Sequence, residues 1–263
     1  MRERRNATDR RGGGAGGRLP DAEVARRDEE LRRWLAFDPA PEPIAPSEAD
    51  LAQLESMGIA LEPTEIDLLA RFLGCLFATN ERINLTRIER ESAWSRHVID
   101  SLTLLAPLAG LEEVHEAIDV GSGGGLPAIP LAIARPDIRW TLLESTGKKA
   151  RFLEAVAAHL GLANVTVVAE RAEQAGRGPM RERFDVATSR AVGALGPLAI
   201  LSVPFLRIGG VMLAIKGAKA PEEIAEAKQD LYALHAHVVG ELASASNTIV
   251  AIEKMRKTPA KFP

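Results

Sequence analysis

The chain of 263 residues lacks the features that mark several large classes of protein. Its one cysteine, Cys75, excludes an internal disulfide and a cysteine-rich metal site. Aromatic residues make up only 4% of the sequence, which argues against an aromatic platform for single-stranded nucleic acid. No apolar run approaches the roughly 18 residues that a membrane span needs. The amino terminus is rich in arginine, unlike an apolar signal peptide, so we expect a cytoplasmic protein with no membrane partner.

Charge of one sign is not in excess either. The formal net charge is -3, so a nucleic-acid partner has to meet a local basic patch. Hydrophobic residues at 46% and charged residues at 26% predict a packed core. His235 and His237 alternate on a late predicted strand without a third ligand in the sequence. We therefore interpret them as surface residues and expect no metal site.

Four segments of the chain differ in composition. Residues 1–46 are rich in arginine, glycine and proline, and we interpret them as a disordered extension; a segment that folds onto RNA is the alternative. Residues 47–110 carry apolar side chains at helical spacing and predict an N-terminal helical segment. Residues 111–257 alternate between strand and helix patterns, and residues 258–263 form a basic tail.

The alternating part of the chain predicts an α/β fold with a mainly parallel seven-stranded sheet and helices on both faces. The predicted strands are 116–120, 138–144, 164–168, 184–190, 209–215, 236–242 and 247–253. The predicted helices between them are 127–135, 147–160, 194–206 and 221–233. Ligands of such sheets bind outside the carboxyl ends of the strands, so we expect the site at that edge.

A glycine-rich loop follows the first predicted strand, with Gly121, Gly123 and Gly125 ahead of Leu126. Glycines let backbone amides approach a ligand closely, and Leu126-Pro127 can open a helix whose positive dipole end faces the loop. A dinucleotide fingerprint needs glycine at the sixth position, where Leu126 stands. With Asp119 two residues before the first glycine, the loop is similar to that of class I S-adenosylmethionine-dependent methyltransferases. A glycine-rich turn without a ligand is the alternative.

An acidic residue, Glu144, ends the second predicted strand. It follows the glycine loop by about 20 residues, the separation at which an acid meets ribose hydroxyls in nucleotide-binding folds. A carboxylate accepts from both hydroxyls of a ribose, so Glu144 suits the adenosine of a cofactor. The alternative is an ordinary surface glutamate at a strand end.

Further motifs occur in order along the chain. They are Ile83-Asn84-Leu85-Thr86, Arg96-His97 with Asp100-Ser101, the glycine loop through Pro130, Leu142-Leu143-Glu144-Ser145 with Gly147-Lys148-Lys149, Arg171-Ala172-Glu173, Phe184-Asp185 with Ser189-Arg190-Ala191, and Lys216-Gly217. Through these motifs, residues 51–257 resemble the small-subunit ribosomal RNA methyltransferase G family, also called the glucose-inhibited division protein B family. Two departures are Ala128, where the family often has glycine, and 244–247, which lacks an expected arginine.

The resemblance implies a class I methyltransferase fold, which is Rossmann-like, and S-adenosylmethionine as the cofactor. It implies methylation at N7 of a guanine in 16S ribosomal RNA. The alternatives for the substrate are free RNA, the small subunit and an assembly intermediate, and we expect a monomeric enzyme. It also implies that Gly121 and Leu126 contact the cofactor, that Ala172 and Glu173 lie beside the adenine, and that Arg190 lies at the cofactor edge of the fourth strand.

The chemistry of N7 needs no catalytic acid or base, because its lone pair is unprotonated at neutral pH. Catalysis then reduces to alignment of the reacting atoms. Enzymes that methylate exocyclic amines of bases resemble one another in a Pro-Pro-aromatic motif after the fourth strand. Residues 189–192 lack that motif. Cys75 lies in the helical segment, away from the expected ligand edge, which disfavours carbon-5 methylation of a pyrimidine.

Several polar residues are candidates for positioning the target. Arg190 and Lys216 are positioning candidates, with plain surface charge as the alternative. The candidates for RNA contact are Asn84, Arg96, His97 and Lys216. The alternative for His97 is a structural pair with Asp100, and for Asn84 it is the cap of a helix. Methylation of another RNA position, a small molecule or a protein, and a non-catalytic RNA-binding role, remain competing functions.

Overall fold

A computed structural model describes residues 21–190, 193–243 and 247–263. Within them, seven strands form one sheet in the order β3-β2-β1-β4-β5-β7-β6. Their bounds are β1 Glu116–Val120, β2 Arg139–Leu143, β3 Val165–Val168, β4 Phe184–Arg190, β5 Leu206–Lys216, β6 Ala236–Ala243 and β7 Thr248–Lys254. The first five strands are parallel, and β7 runs antiparallel to both β5 and β6. The predicted mainly parallel seven-stranded sheet is confirmed.

The helices of the described residues fall into two groups. Those ahead of the sheet are α1 Asp21–Trp34, α2 Glu48–Ser56, α3 Pro63–Asn80, a π-helix at Trp94–Ile99, α4 Asp100–Leu102 and α5 Leu105–Ala109. Those between strands are α6 Ala128–Ala134, α7 Gly147–Leu160, α8 Ala172–Ala175, α9 Leu195–Ser202 and α10 Ala220–Leu234. None of these helices is both long and apolar enough to span a membrane.

Both faces of the sheet are covered, because successive side chains of a strand point to opposite faces. On β1, Ala117 belongs to one buried cluster with α3, α6 and α7, whereas Ile118 and Val120 belong to a second cluster with α9 and α10. The sheet is therefore sandwiched between two apolar layers, and its strand ends remain as the edges where polar groups can gather.

The strand β5 begins at Leu206, three residues earlier than the predicted 209. Its pairing with β4 is irregular between Phe184 and Val186, which face Leu206 and Val211. Gly209 supplies the positive φ of 80° that this bulge requires. A pair of glycines is typical of the end of a loop, so the bulged start of the strand was not predicted.

Residues 35–46 pack against the helical segment, which corrects the expected disordered extension over these residues. Leu35 and Phe37 are buried. The backbone of Ile44 donates to the carbonyl of Ala70 at 3.0 Å and accepts from the indole nitrogen of Trp94 at 2.6 Å. The described part of the extension also includes α1, and residues 1–20 lie outside the described residues.

The predicted basic tail, 258–263, lies along the protein and is bound through its backbone. The guanidinium of Arg181 donates to the carbonyls of Thr258 at 2.9 Å and Pro259 at 3.3 Å, and also to that of Pro263. Glu182 accepts from the backbone nitrogen of Thr258 at 3.0 Å. The segment that carries the exposed Lys261 is therefore bound to the rest of the protein through Arg181 and Glu182.

Candidate functional site

The predicted site residues gather where the parallel strands end. The loop 121–127 follows β1, Glu144 follows β2, α8 follows β3 by a few residues, and Arg190 ends β4. Residues of β1 pair in register with both β2 and β4, so the ends of these three strands are adjacent. The edge expected from the topology of parallel sheets is the edge at which the candidates meet.

The glycine loop uses its glycines in two different ways. Gly121, Gly123 and Gly125 all have positive φ, at 77°, 55° and 85°. A Cβ on Gly125 would lie 2.7 Å from Cγ1 of Ile129, so that position also needs glycine for packing. A Cβ on Gly123 would meet only the carbonyl oxygen of Gly121, at 3.8 Å. Space therefore lies open over Gly123, as a cradle for a ligand requires.

Glu144 connects the second strand to the loop and is 6% exposed. Its Oε2 accepts from the backbone nitrogen of Gly123 at 2.9 Å, and its Oε1 accepts from that of Thr146 at 2.7 Å. These bonds hold the loop and the start of α7 together, a role that the sequence did not predict. Each carboxylate oxygen has a second acceptor site, so the predicted ribose contact is compatible with them.

Asp119 is a buried carboxylate with one oxygen left over. It is 1% exposed; Oδ1 accepts from Oγ1 of Thr188 at 2.8 Å, while Oδ2 is buried with no hydrogen-bond partner among the described residues. Burial raises the pKa of Asp119 to about 6, opposed by the hydroxyls of Thr188 and Ser122 and by the charge of Arg190, while the charge of Glu144 adds to the rise. The hydroxyl of Ser122 donates to the backbone carbonyl of Asp119 at 3.0 Å. Buried polar atoms are nearly always bonded, and Oδ2 has the capacity to accept from a ligand that donates, a cation best of all.

Arg190 is held by the N-terminal helical segment. Nη1 donates to the backbone carbonyl of Arg96 at 2.7 Å, and Nη2 lies 3.0 Å from Nδ1 of His97. Burial lowers the pKa of Arg190, against the opposing charges of Asp100 and Asp119. A guanidinium has five N–H groups, so these two contacts leave three for other partners.

His97 is 1% exposed, and this corrects the expectation that its ring contacts RNA. It does not form the alternative pair with Asp100 through its ring nitrogens, because Nε2 lies 2.9 Å from Oγ1 of Thr86 and Nδ1 faces Arg190. Since arginine only donates, Nδ1 accepts, and we assign the proton to Nε2, which donates to Thr86. Burial, followed by the charge of Arg190, lowers the pKa of His97 to about 3.

Lys216 is also placed differently from the expectation. It is 6% exposed, and its Nζ donates to the carbonyl of Gly193 at 2.6 Å and lies 2.7 Å from Oε2 of Glu223. A lysine buried in an ion pair is not available for RNA phosphates unless that pair breaks. The structure therefore assigns Lys216 to the junction between β5 and α10.

The remaining candidates lie at or near the surface. Asn84 is exposed in the loop after α3, and exposed Arg96 lies 3.9 Å from the carboxylate of Asp100. Ala172 is half-buried and Glu173 is exposed on α8. Leu126 is buried in the core beside the loop. Two stretches named in the sequence analysis, 191–192 and 244–246, lie outside the described residues.

Two threonines at the site were not predicted. Thr188 bonds the buried carboxylate of Asp119, and Thr86 bonds the ring of His97. Thr188 carries a usable signal, because it precedes Arg190 by two residues and so lies on the same face of β4. No three histidine, cysteine or acidic side chains of the described ranges come together as a metal site would need. His235 and His237 are exposed.

The sheet order, the antiparallel β7, the glycine loop after β1 and the acid after β2 define a class I S-adenosylmethionine-dependent methyltransferase. The fold is shared with a SAM-dependent methyltransferase from Aquifex aeolicus, with a TM-score of 0.50 and 16% identity, over 62% of this chain and 93% of that one. Residues 65–249 match the family model described as rRNA small subunit methyltransferase G, and the chain belongs to that family.

Two relatives align with the chain over most of their length. The chain is 47% identical to the ribosomal RNA small subunit methyltransferase G of Sorangium cellulosum, over 86% of this chain and 95% of that protein. It is 42% identical to the protein of the same name from Roseiflexus castenholzii, over 79% of this chain and 91% of that protein. The resemblance stated from the sequence is thereby confirmed.

The buried ring of His97 makes stability depend on pH. Its folded pKa of about 3 lies below the unfolded value near 6.5, so only the unfolded chain takes up a proton between them, and stability is lost as pH falls. From pH 7 to pH 5 we expect the wild type to lose about 2 kcal/mol more unfolding free energy than His97→Asn. The raised pKa of Asp119 acts oppositely in both proteins and cancels.

Urea unfolding at the two pH values measures this difference. His237→Asn removes an exposed ring and serves as the matched control, which should follow the wild type. Parallel losses of stability in the wild type and His97→Asn would show that the ring of His97 is not buried as described.

Proposed function

We propose that the protein transfers the methyl group of S-adenosylmethionine to N7 of a guanine in 16S ribosomal RNA. The proposal is supported by membership of the rRNA small subunit methyltransferase G family and by relatives whose names state that substrate class. For this chain, the observation that carries the cofactor part of the proposal is the unpartnered Oδ2 of Asp119, beside the glycine loop and Glu144. We further propose that the enzyme acts as a cytoplasmic monomer.

The residues present fit the cofactor. The buried Oδ2 of Asp119 offers an acceptor to a cationic group, and the loop from Gly121 to Leu126 lets a ligand approach its backbone. Glu144 would accept from ribose hydroxyls while keeping its two backbone bonds. Ala172 and Glu173 would border the adenine. S-adenosylmethionine supplies an activated methyl group on a positively charged sulfur.

The protein's part in the reaction is alignment and electrostatics. N7 of guanine carries a free lone pair, so no side chain has to remove a proton before attack. His97 is buried, kept neutral and bonded at both nitrogens, so it is a poor general base. The carboxylates of Asp119 and Glu144 provide negative charge next to a cationic donor, and Arg190 provides a fixed positive charge at the same edge.

The RNA side of the site is proposed from the exposed polar residues of the helical segment. Asn84 and Arg96 are exposed, and the backbone of Arg96 contacts Arg190, which places the segment next to the ends of the strands. A guanine whose N7 is to meet a bound cofactor has to be unstacked, which favours a loop of the RNA over a regular helix.

Gly123 offers a test of cofactor binding that leaves the fold intact. An alanine there costs about 1–2 kcal/mol for its left-handed backbone but meets no atom closer than 3.8 Å. We expect Gly123→Ala to weaken binding of S-adenosylhomocysteine tenfold or more, because its methyl group fills the space that the ligand needs. Isothermal titration calorimetry measures the affinity.

The control is Gly161→Ala. Gly161 has a similar φ of 69°, a Cβ on it would meet no atom within 4 Å, and it ends α7 away from the loop. The variant shares the backbone cost and should leave the affinity unchanged. Equal affinities in the two variants would remove the glycine loop from the cofactor site.

The reaction itself is tested by mapping the product on 16S ribosomal RNA, supplied naked and in 30S particles. We expect methyl transfer to one guanine at N7, detected by reduction and aniline cleavage of the RNA. We also expect that, with S-adenosylmethionine saturating at every pH, the single-turnover rate has no rising limb between pH 5.5 and 8, because no base is titrated in the methyl-transfer step. A methylated exocyclic amine or pyrimidine carbon would contradict the proposal.

A further inference from the structure

The π-helix Trp94–Ile99 presents a backbone carbonyl to the site. In an α-helix the N–H of Asp100 would bond the carbonyl of Arg96, four residues before it. Here that N–H bonds the carbonyls of Ser95 and His97 instead. The carbonyl of Arg96 accepts from Nη1 of Arg190 at 2.7 Å. The wider turn thus provides a fixed acceptor for an arginine that belongs to the sheet, and π-turns of this kind are frequent at functional sites.

A second acceptor on the same helix, Nδ1 of His97, is held in place by hydrogen bonds on the other side of its ring. The ring of His97 accepts a hydrogen bond from Arg190 through Nδ1, and its Nε2–H donates to Oγ1 of Thr86. Oγ1 of Thr86 also accepts from the backbone of Ile88 at 3.0 Å, and the backbone of Thr86 donates to Oδ1 of Asn80 at 2.9 Å. A continuous set of hydrogen bonds therefore leads from the end of α3 to the guanidinium.

Arg190 lies near the carboxylate of Asp119 but does not form an ion pair with it. Thr188 and Arg190 lie on one face of β4, and Thr188 bonds Oδ1 of Asp119 at 2.8 Å. The charge of Arg190 acts on Asp119, yet Oδ2 of that carboxylate stays without a hydrogen-bond partner in the described structure. A buried carboxylate next to a guanidinium ordinarily forms an ion pair, so something holds the two apart.

We propose that His97 is a positioning residue: supported by its hydrogen bond to Thr86, it prevents the guanidinium of Arg190 from pairing with Asp119. Oδ2 of Asp119 then stays without a protein partner and can accept from the ligand. The proposal rests on Asp119 belonging to the cofactor site of the proposed function. The helical segment then has a part in cofactor binding without touching the cofactor. Loss of the Nδ1 acceptor would release Nη2 of Arg190, while Nη1 keeps its bond to the carbonyl of Arg96 and Asp100 still attracts the guanidinium. The released Nη2 could then pair with Asp119 and compete with the ligand for it.

The test is a cycle of variants read by the affinity for S-adenosylhomocysteine. We expect His97→Leu to weaken binding at least tenfold. In an Arg190→Gln background the same substitution should change the affinity less than twofold, because no guanidinium is left to close on Asp119. His97→Asn offers an acceptor oxygen close to the place of Nδ1 and should bind within threefold of the wild type.

The matched control is Val98→Ala, which removes buried atoms from the next residue of the same helix. It should leave the affinity unchanged at a similar loss of melting temperature. Equal effects of His97→Leu with and without Arg190, or a Val98→Ala effect as large as that of His97→Leu, would overturn the proposal and leave His97 a packing residue.

A second readout does not depend on the cofactor. The Asp119 carboxyl, followed by carbon-13 NMR, should titrate at a lower pH in His97→Leu than in the wild type, where its pKa is raised to about 6, because the freed guanidinium favours the ionised carboxylate. An unchanged titration contradicts the restraint on Arg190. If the wild type binds no S-adenosylhomocysteine, the cofactor part of the proposed function fails, and this titration still decides the proposal on His97.

Discussion

A buried carboxylate with one unsatisfied oxygen is the constraint on which the site depends. Asp119 lies on β1, an interior strand of the sheet between β2 and β4, and Thr188 satisfies only Oδ1. An ionised group kept from water costs several kcal/mol unless charges or hydrogen bonds compensate it. The structure supplies part of that compensation. In the proposed complex a cationic ligand supplies the rest of the compensation. The buried carboxylate of Asp119 therefore favours binding of a cationic cofactor over that of a neutral ligand.

The rest of the site follows from keeping that buried oxygen free of a hydrogen-bond partner from the described residues. Positive φ at the loop glycines turns the backbone away from the strand end, and Glu144 holds the loop through the N–H of Gly123. On the other side the π-helix carbonyl of Arg96 and the ring of His97 bind the guanidinium of Arg190. The helical segment and the sheet thus form one site, although they are separate in the sequence.

The sequence predicted those features that local rules determine. The bounds of α7 agree with the prediction residue for residue, because apolar spacing and a terminal glycine define a helix within its own turns. The place of Glu144 at the end of the second strand followed from strand–helix alternation. Its bonds to two backbone N–H groups did not, because they depend on how the loop turns in space.

The errors concern charged and aromatic side chains whose partners are distant in the chain. A lysine is ordinarily a surface cation, yet Lys216 is buried, forms an ion pair with Glu223 and donates to the carbonyl of Gly193. His97 faces an arginine 93 residues away. Residues 35–46 have the composition of a disordered extension, yet buried Leu35 and Phe37 and the contacts of Ile44 with Ala70 and Trp94 fix them. Periodicity carries no information about such pairs.

The most direct test of this account is the binding of two ligands to the wild type and to Asp119→Asn by calorimetry. S-adenosylhomocysteine carries the ammonium group of the cofactor, and 5′-methylthioadenosine has the adenosine part without it. The account predicts that Asp119→Asn weakens binding of the first at least tenfold and of the second less than threefold. Equal losses for both ligands, or none for either, would contradict the role given to the open oxygen of Asp119.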